Sequence, residues 1–342
     1  MKKIFVDQVE FEVISKIADG GMGSVYKALQ KGIHGFAKTV AIKTILEDYS
    51  SDTQFISDFI SEAMLVANLV HENIVQIYQL GKYKKEYYFV LEFVDGISLY
   101  DFMQFHERIK RRLPPKLAVF IASRVARGLA YAHTRRDRNG ESMNIVHCDV
   151  CLHNIMLNTE GVPKLTDFGI AKANIRKEER SGMSGKLPFI SPEQAGVGTP
   201  IEFYSDIYSL GVVLFYLLSG KFPRRVDLPL REMIDAIRQN ELDWSLLPED
   251  LDEDLKTLLR RMLALRPEER FSDTSELARS LEYYIYKDGY GPTIVTLSTY
   301  MKEMLPGIFQ PEAEREILPH NLTEPGKTTR IAIDKTLRMT RP

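Results

Sequence analysis

Three clusters along the chain have residue types and spacings that could do chemistry. The first is Ala18-Asp19-Gly20-Gly21-Met22-Gly23-Ser24-Val25, a glycine-rich turn with strand-like residues on both sides. With no Cβ in the way, backbone N–H groups of such a turn can come close to phosphate oxygens. A plain tight hairpin would use the same residues. The turn lacks the strand-then-helix setting of a dinucleotide fold, and no Lys-Ser or Lys-Thr closes it as a P-loop requires. The second cluster is Val40-Ala41-Ile42-Lys43, where the period of a strand puts Ala41 and Lys43 on one face. A lysine beside a small residue suits a flat nucleotide ring with a phosphate nearby; a solvated strand lysine is the alternative. Glu62 shifts the balance, because it falls on the inward stripe of a helix, where an ionised carboxylate needs a partner such as Lys43. The third cluster is His147-Cys148-Asp149-Val150-Cys151-Leu152-His153-Asn154. After Ile155-Met156-Leu157 it is followed by Lys164-Leu165-Thr166-Asp167-Phe168-Gly169.

The elements that must position these residues change character near Val94. Before it the chain reads mostly as short strands: Val25 to Leu29 and Thr39 to Ile45 are alternating or β-branched, and Tyr87 to Val94 is a nearly continuous apolar and aromatic run. One helix interrupts them, with Phe55, Phe59, Glu62, Val66 and Leu69 at helical spacing. From Asp95 onward the pattern is helical. Lys116 to His133 is periodic and starts after Pro114 and Pro115, and Asp206 to Leu218 is apolar nearly all round, as a buried helix should be. Asp252 to Leu263 and Ser272 to Tyr286 are amphipathic helices, and Thr293 to Glu303 reads as one more. Thr134 to Asn144 is charged and contains Asn139-Gly140, a turn signal, so it reads as a surface excursion. Pro319 to Pro342 has few large apolar residues and many Thr, Lys and Arg, the composition of a disordered tail.

Composition bounds the remaining classes. The chain has 342 residues, 44% hydrophobic, with a formal net charge of −2. That length favours two lobes or domains over one oversized core. Near-neutral charge argues against a nucleic-acid-coating surface, so nucleic acid is not an expected partner. The longest apolar run, Leu210 to Leu218, is too short to span a bilayer, and Asp7, Glu10 and Glu12 interrupt any leader-like stretch. Two cysteines three residues apart cannot staple a domain of this size, which favours a reducing, cytoplasmic setting.

With the three clusters in this order, the sequence resembles a protein kinase of the eukaryotic-like (Hanks-type) serine/threonine form also found in bacteria. The resemblance covers roughly residues 11 to 286, and its specificity lies in the order and separation of many individually weak motifs. It implies an α+β, bilobal protein-kinase fold. An antiparallel β-sheet plus one helix would form the N-lobe (1–94), and a mainly α-helical C-lobe (95–289) would carry the catalytic and activation segments. A C-terminal helix and a disordered basic Thr-rich tail would follow (290–342). It implies ATP as cosubstrate with Mg²⁺, or Mn²⁺ in its place, protein substrates, and autophosphorylation in signal transduction.

Residue by residue, Gly20 and Gly23 would cover the ATP phosphates, with Ala18 in place of the loop's first glycine. Lys43, held by Glu62, would contact the α- and β-phosphates. Val25, Ala41 and Met156 would sandwich the adenine, Leu91 would stand at the gatekeeper position, and backbone groups of Glu92 and Val94 would read the base. Asp149 would accept or orient the substrate hydroxyl, while Asn154 and Asp167 would hold the metal. Asp206 would brace the catalytic loop from below, and Ser191-Pro192-Glu193 would end the activation segment with Arg270 as ion-pair partner of Glu193.

Several positions depart from the family pattern. Cys148 replaces an arginine that pairs with a phosphorylated activation segment, which weakens the case for switching at that spot. Cys151 replaces a lysine that helps neutralise the γ-phosphate. Lys186 stands where a threonine commonly bonds the catalytic aspartate, and it could reach Asp149 or the phosphate and offset Cys151. Cys148-x-x-Cys151 between His147 and His153 also has the outline of a metal or thiol-redox motif. His147 reads instead as packed against Phe168. Ser181 and Ser184 have Arg176, Lys177, Arg180 and Lys186 nearby as partners for a phosphate, and the Thr-containing basic repeats after Lys327 suit an autophosphorylated or docking tail.

Three functions compete on these residues. An active protein serine/threonine kinase is supported by Lys43, Glu62, Asp149, Asn154 and Asp167 together. An ATP-binding pseudokinase scaffold is argued by Cys151 with Lys186. A small-molecule phosphotransferase of the antibiotic-kinase type shares the acidic residues but not Ser191-Pro192-Glu193 with Arg270. The substrate protein, the upstream signal and the oligomeric state have no signature in the sequence.

Overall fold

In the computed structural model the described residues are 10–20, 23–44, 60, 64, 66–83, 86–168, 186–196 and 200–310, with the backbone of 337–338. The chain divides into two compact units. One comprises Met1–Asn68, Gln76–Phe93 and Pro311–Pro342, the other Leu69–Val75 and Val94–Gln310.

The first unit is an antiparallel sheet. Its strands are β1 (Glu10–Gly20), β2 (Gly23–Lys31), β3 (Ala37–Thr44), β4 (Ile77–Tyr83) and β5 (Glu86–Glu92). Their order is β4-β5-β3-β2-β1, and the backbone of Leu337–Arg338 pairs with the start of β1 at its outer edge. Strand parity sorts the side chains into two sets. Phe11, Ala28, Val40, Ile42, Tyr88 and Val90 form an apolar core on one face. Residues opposite one another across a ladder share a face. The pairs Ala18↔Val25, Val25↔Lys43 and Ala41↔Leu91 therefore gather Ala18, Val25, Ala41, Lys43 and Leu91 on the other. Strand β1 was not evident from alternation. Two register shifts, between Val13 and Ser15 and between Lys16 and Ala18, break its period and leave Ile14 exposed. Of the expected helix, Ile60, Met64 and Val66 are helical, while Phe55, Phe59 and Glu62 lie outside the described residues.

The second unit is mainly helical. A small sheet of β6 (Gly96–Ser98), β7 (Ile155–Asn158) and β8 (Pro163–Leu165) leads into and out of the catalytic cluster. The helices are α1 (Leu99–Arg108), α2 (Pro115–His133), α3 (Phe203–Ser219), α4 (Leu230–Arg238), α5 (Glu253–Met262), α6 (Thr274–Tyr286) and α7 (Ile294–Met304). Helix α2 begins at Pro115, whose fixed φ suits the first helical position. Helix α3 is buried from Ser205 to Leu218 and ends at Gly220, which is left-handed at φ 70°. Helix α4 buries Met233, Ala236 and Ile237. Asn139-Gly140 turns a short hairpin in which Arg136 and Ser142 bridge and Gly140 has φ 83°. Among the described residues, no helix is long and apolar enough to cross a membrane.

Candidate active site

Expected site residues occur in both units. In the first, Gly20 opposes Gly23 where β1 turns into β2, and Gly21 and Met22 lie outside the described residues. Lys16 and Ser24 both bond the Asp19 carboxylate, at 2.5 and 2.6 Å. Together, Lys16 first, they hold its pKa below the ordinary carboxylate range. Ala18, Val25, Ala41, Lys43 and Leu91 lie together on the sheet face away from the core. The Glu92 N–H donates to the Gln76 carbonyl at 2.8 Å, and the Gln76 N–H returns a bond to the Glu92 carboxylate at 3.2 Å. The expected Lys43–Glu62 pair falls outside the described residues at Glu62.

In the second unit the loop at 147–154 hangs on one buried carboxylate. Asp206 Oδ2 accepts the His147 N–H at 2.7 Å, and Oδ1 accepts the Cys148 N–H at 2.8 Å. A third donor, His133 Nε2, reaches Oδ2 at 2.8 Å, while His133 Nδ1 lies 2.7 Å from Thr274 Oγ1. Burial works to raise the Asp206 pKa, but His133, through its hydrogen bond and charge, and His147, through its charge and backbone N–H, outweigh it, and the carboxyl is held below its ordinary value. This anchor keeps Cys148 at φ 64°, a left-handed conformation that is strained for a side-chain-bearing residue. His147 adds a second brace. Its Nδ1 accepts the Asp149 N–H at 3.2 Å, its Nε2 lies 2.9 Å from the Thr166 carbonyl, and its ring packs on Phe168 at 4.6 Å between centroids.

The loop then presents its chemistry. Asn154 Nδ2 donates to the Asp149 carbonyl at 2.8 Å and to Asp149 Oδ2 at 2.9 Å, and Lys186 Nζ reaches the same Oδ2 at 2.8 Å. Asp149 and Asn154 of the third cluster thus meet Lys186, from a separate stretch of sequence, at one oxygen. The Asn154 carbonyl accepts the Thr166 N–H at 2.9 Å and ties the loop to Asp167, which stands at φ 59°. Met156 lies on β7, opposite Ser98 and Lys164. Asn154 Oδ1, left over because the amide nitrogen serves Asp149, and the Asp167 carboxylate could supply oxygen ligands to a cation. Two hard oxygen ligands fit a Mg²⁺-type ion that keeps its waters and takes phosphate oxygens.

Segment 186–196 is keyed to the same frame. Ser191 caps the turn Pro192–Ala195, and Gln194 Nε2 donates to the Cys148 carbonyl at 2.9 Å. Glu193 receives both Nη atoms of Arg270 at 2.7 and 2.9 Å, and Ser205 at 2.8 Å. Arg270 also donates to the carbonyls of Ala264, Tyr204 and Leu265. Sequence reasoning missed His133, Thr274 and Gln194. A histidine at a helix end and a glutamine after a glutamate carry no signal of their own. Cys148 and Cys151 are buried free thiols, and burial, helped by the Asp149 charge, pushes the Cys151 thiol up to about 12. Among the described residues no group of three or more His, Cys, Asp or Glu is placed to hold a metal ion, so the Cys-x-x-Cys outline has no ligand set behind it. Ser181, Ser184, Arg176, Lys177 and Arg180 lie outside the described residues.

Comparison with known proteins agrees with this geometry. The protein kinase domain family matches residues 11–281. Over 298 residues the chain is 33% identical to the tyrosine-protein kinase MasK of Myxococcus xanthus, covering 85% of this chain and 45% of that one. It is 37% identical over 215 residues to the serine/threonine-protein kinase PrkC of Bacillus subtilis, covering 62% and 31%. The chain thus spans less than half the length of either relative. The crystal structure of the Mycobacterium tuberculosis PknI kinase domain matches with a TM-score of 0.58 at 25% identity, over 81% of this chain and 97% of that domain. The loop at 147–154, the Glu193–Arg270 clamp and a family match across most of the chain lead to one assignment: the chain belongs to the protein kinase domain family.

Proposed function

We propose that the chain is an active protein serine/threonine kinase that transfers the γ-phosphate of ATP to hydroxyl groups of protein substrates, with autophosphorylation, in signal transduction. The observation that carries this reading is the constellation at Asp149, whose Oδ2 is fixed by Asn154 and Lys186 while Asp206 holds the loop backbone. Protein kinases use ATP with a divalent metal ion. Mg²⁺ is the ion that Asn154 and Asp167 would hold, and it would neutralise phosphate charge. Asp149 orients the acceptor hydroxyl and takes its proton. Lys43 contacts the α- and β-phosphates with Glu62 as its partner. Ala18, Gly20 and Gly23 cover the phosphates, and Val25, Ala41, Leu91, Glu92, Val94 and Met156 receive the adenine. The lobes are 1–94 and 95–289, followed by the extension 290–342. A cytoplasmic setting goes with two cysteines that are both free thiols. Retention of Lys43, Asp149, Asn154 and Asp167 together disfavours the pseudokinase reading.

The acceptor is read as serine or threonine because Lys186-Leu187-Pro188-Phe189-Ile190 does not resemble the tyrosine-kinase segment, although the Myxococcus relative carries a tyrosine-kinase name. The test is transfer from labelled ATP with Mg²⁺, wild type against Asp149→Asn, with phosphoamino-acid analysis. Label on serine or threonine that vanishes in the variant is the expected result. Nucleotide binding without transfer would sink the catalytic reading, and label on tyrosine alone would sink the acceptor assignment.

A further inference from the structure

The stretch His147 to Asn154 contains no lysine or arginine. Its two cysteines are buried, and His153 is stacked on Tyr100 at 4.1 Å. The cation at Asp149 comes from elsewhere in the chain: Lys186, whose Nζ is 2.8 Å from Oδ2. A group that takes a hydroxyl's proton sits about 2.6–3.2 Å from that hydroxyl. Nζ, bonded to the same carboxylate, therefore lies within about 6 to 8 Å of the oxygen that attacks phosphorus, according to which carboxylate oxygen takes the hydroxyl. The transferring phosphoryl group carries charge on three equatorial oxygens in this same neighbourhood, and fixed positive charge there lowers the barrier. Asp149 has Asn154 as a second donor on the same oxygen, so the ammonium can lean toward phosphate without leaving the carboxylate unsupported. The Lys186 side chain is 46% exposed against 14% for Asp149, which leaves it that freedom.

Lys186 is positioned by a different element from the one that positions Asp149. It immediately precedes the helical turn Leu187–Phe189, all three residues of which are buried. Leu187 packs with Met233 and Ile237 of α4, with Ile190, Ala195 and Leu228 alongside. Phe189 meets Phe222 edge-on at 5.3 Å, and Arg238 at the end of α4 donates to the Ala195 carbonyl at 2.7 Å. The catalytic carboxylate is thus set by α3 through Asp206, and its cation by α4 through Leu187.

We propose that Lys186 neutralises the transferring phosphoryl group and that segment 186–196 delivers it only when Leu187 is seated on Met233 and Ile237, which makes α4 the lever that sets the rate. The proposal rests on the kinase reading above. The bonds exchanged are unaltered: the acceptor oxygen bonds phosphorus as the bond to the β-phosphate oxygen breaks, ADP leaves, and the hydroxyl proton goes to Asp149. Lys186 makes and breaks no covalent bond.

The experiment compares the full chain with Lys186→Met, which keeps length and removes charge, and Lys186→Arg, which keeps charge. Affinities for Mg·ATP and Mg·ADP are measured by calorimetry beside turnover. Lys186→Met should lower kcat roughly 100-fold and weaken ATP binding while leaving ADP binding unchanged, and Lys186→Arg should recover part of both. Met233→Ala should slow turnover several-fold in the wild-type background and not at all in Lys186→Met, because the seat acts only through Lys186. Ile237→Val trims the same seat more gently and repeats the measurement should Met233→Ala not fold. An unchanged ATP-to-ADP affinity ratio in Lys186→Met, or an equal effect of the seat variants in both backgrounds, overturns the proposal. A wild type that transfers no phosphate defeats the kinase reading instead, whereas a transferring wild type matched by Lys186→Met defeats this proposal alone.

Discussion

Asparagine at position 206 would keep the shape of the buried aspartate and remove one acceptor. In the wild type three donors converge on the Asp206 carboxylate, the N–H groups of His147 and Cys148 and the His133 ring. An amide has one oxygen, so at best the Oδ2 side keeps its two donors while the new NH₂ faces the Cys148 N–H. One charge-assisted bond is lost outright, at about 1.5–3 kcal/mol, and the other two lose their charge. Breaking a buried ionic anchor of this kind costs about 3–5 kcal/mol in total. Part of that appears as relaxation of Cys148 from φ 64°, a strained conformation that the anchor holds against a cost of about 1–3 kcal/mol. The protein's single tryptophan, Trp244, lies in the helical unit with its ring 6.0 Å from Phe215, so its fluorescence reports unfolding of that unit. We expect Asp206→Asn to lower the urea midpoint by about 1 M or more and to reduce kcat at least about tenfold, with little change in ATP affinity. A midpoint within about 0.3 M of wild type together with full turnover would refute the claim that this carboxylate holds the loop.

Other outcomes follow from single contacts. At Gly161, φ is 82° and an added Cβ would lie 2.0 Å from the Ile294 carbonyl, so Gly161→Ala should loosen α7 and open the 288–293 linker to limited proteolysis; an unchanged digestion pattern would contradict the tight seat. The Cys151 thiol, pushed up to about 12 by burial, should resist iodoacetamide at pH 8 in the folded protein and react only in denaturant, and fast native labelling would revive the redox reading. Burial holds the His106 pKa below its ordinary 6.5, against the pull of its bond to the Phe102 carbonyl, and its other nitrogen meets the Tyr300 hydroxyl at 2.9 Å. The unfolded chain therefore binds more protons as pH falls below about 6.5, so this contribution to stability is complete above that value and is lost toward the depressed folded pKa. His71 and His153 are shifted the same way by burial. Melting temperature should drop between pH 7.5 and 5.5, less steeply in His106→Asn, and a rise on acidification would show the sign to be wrong.

Much of the architecture was legible because its causes are local. Alternation marked β2 and β3, a nearly continuous apolar run marked β5, proline placed the start of α2, and an all-apolar stretch marked α3 as buried. The motif at 147–154 was legible for the same reason, since Asp149 and Asn154 are five residues apart and their contact is built by one turn of chain. Strand β1 and helices α1 and α4 escaped notice. Register shifts scrambled the first, while α1 and α4 carry apolar stripes at helical spacing, Leu99, Phe102 and Met103 and then Met233, Ala236 and Ile237, that sequence reasoning passed over.

Residue types and short-range order thus determined, without coordinates, that the chain has the parts of a protein kinase. The tertiary structure decided which parts meet. His133 reaches Asp206 across 73 residues of sequence, Lys186 reaches Asp149 across 37, Gln194 reaches the Cys148 carbonyl across 46, and Arg270 reaches Glu193 across 77. Such contacts depend on how α2, α3 and segment 186–196 pack. Buried charges and backbone donors then select partners by geometry, because an unpaired polar group inside the core costs more than any local preference supplies.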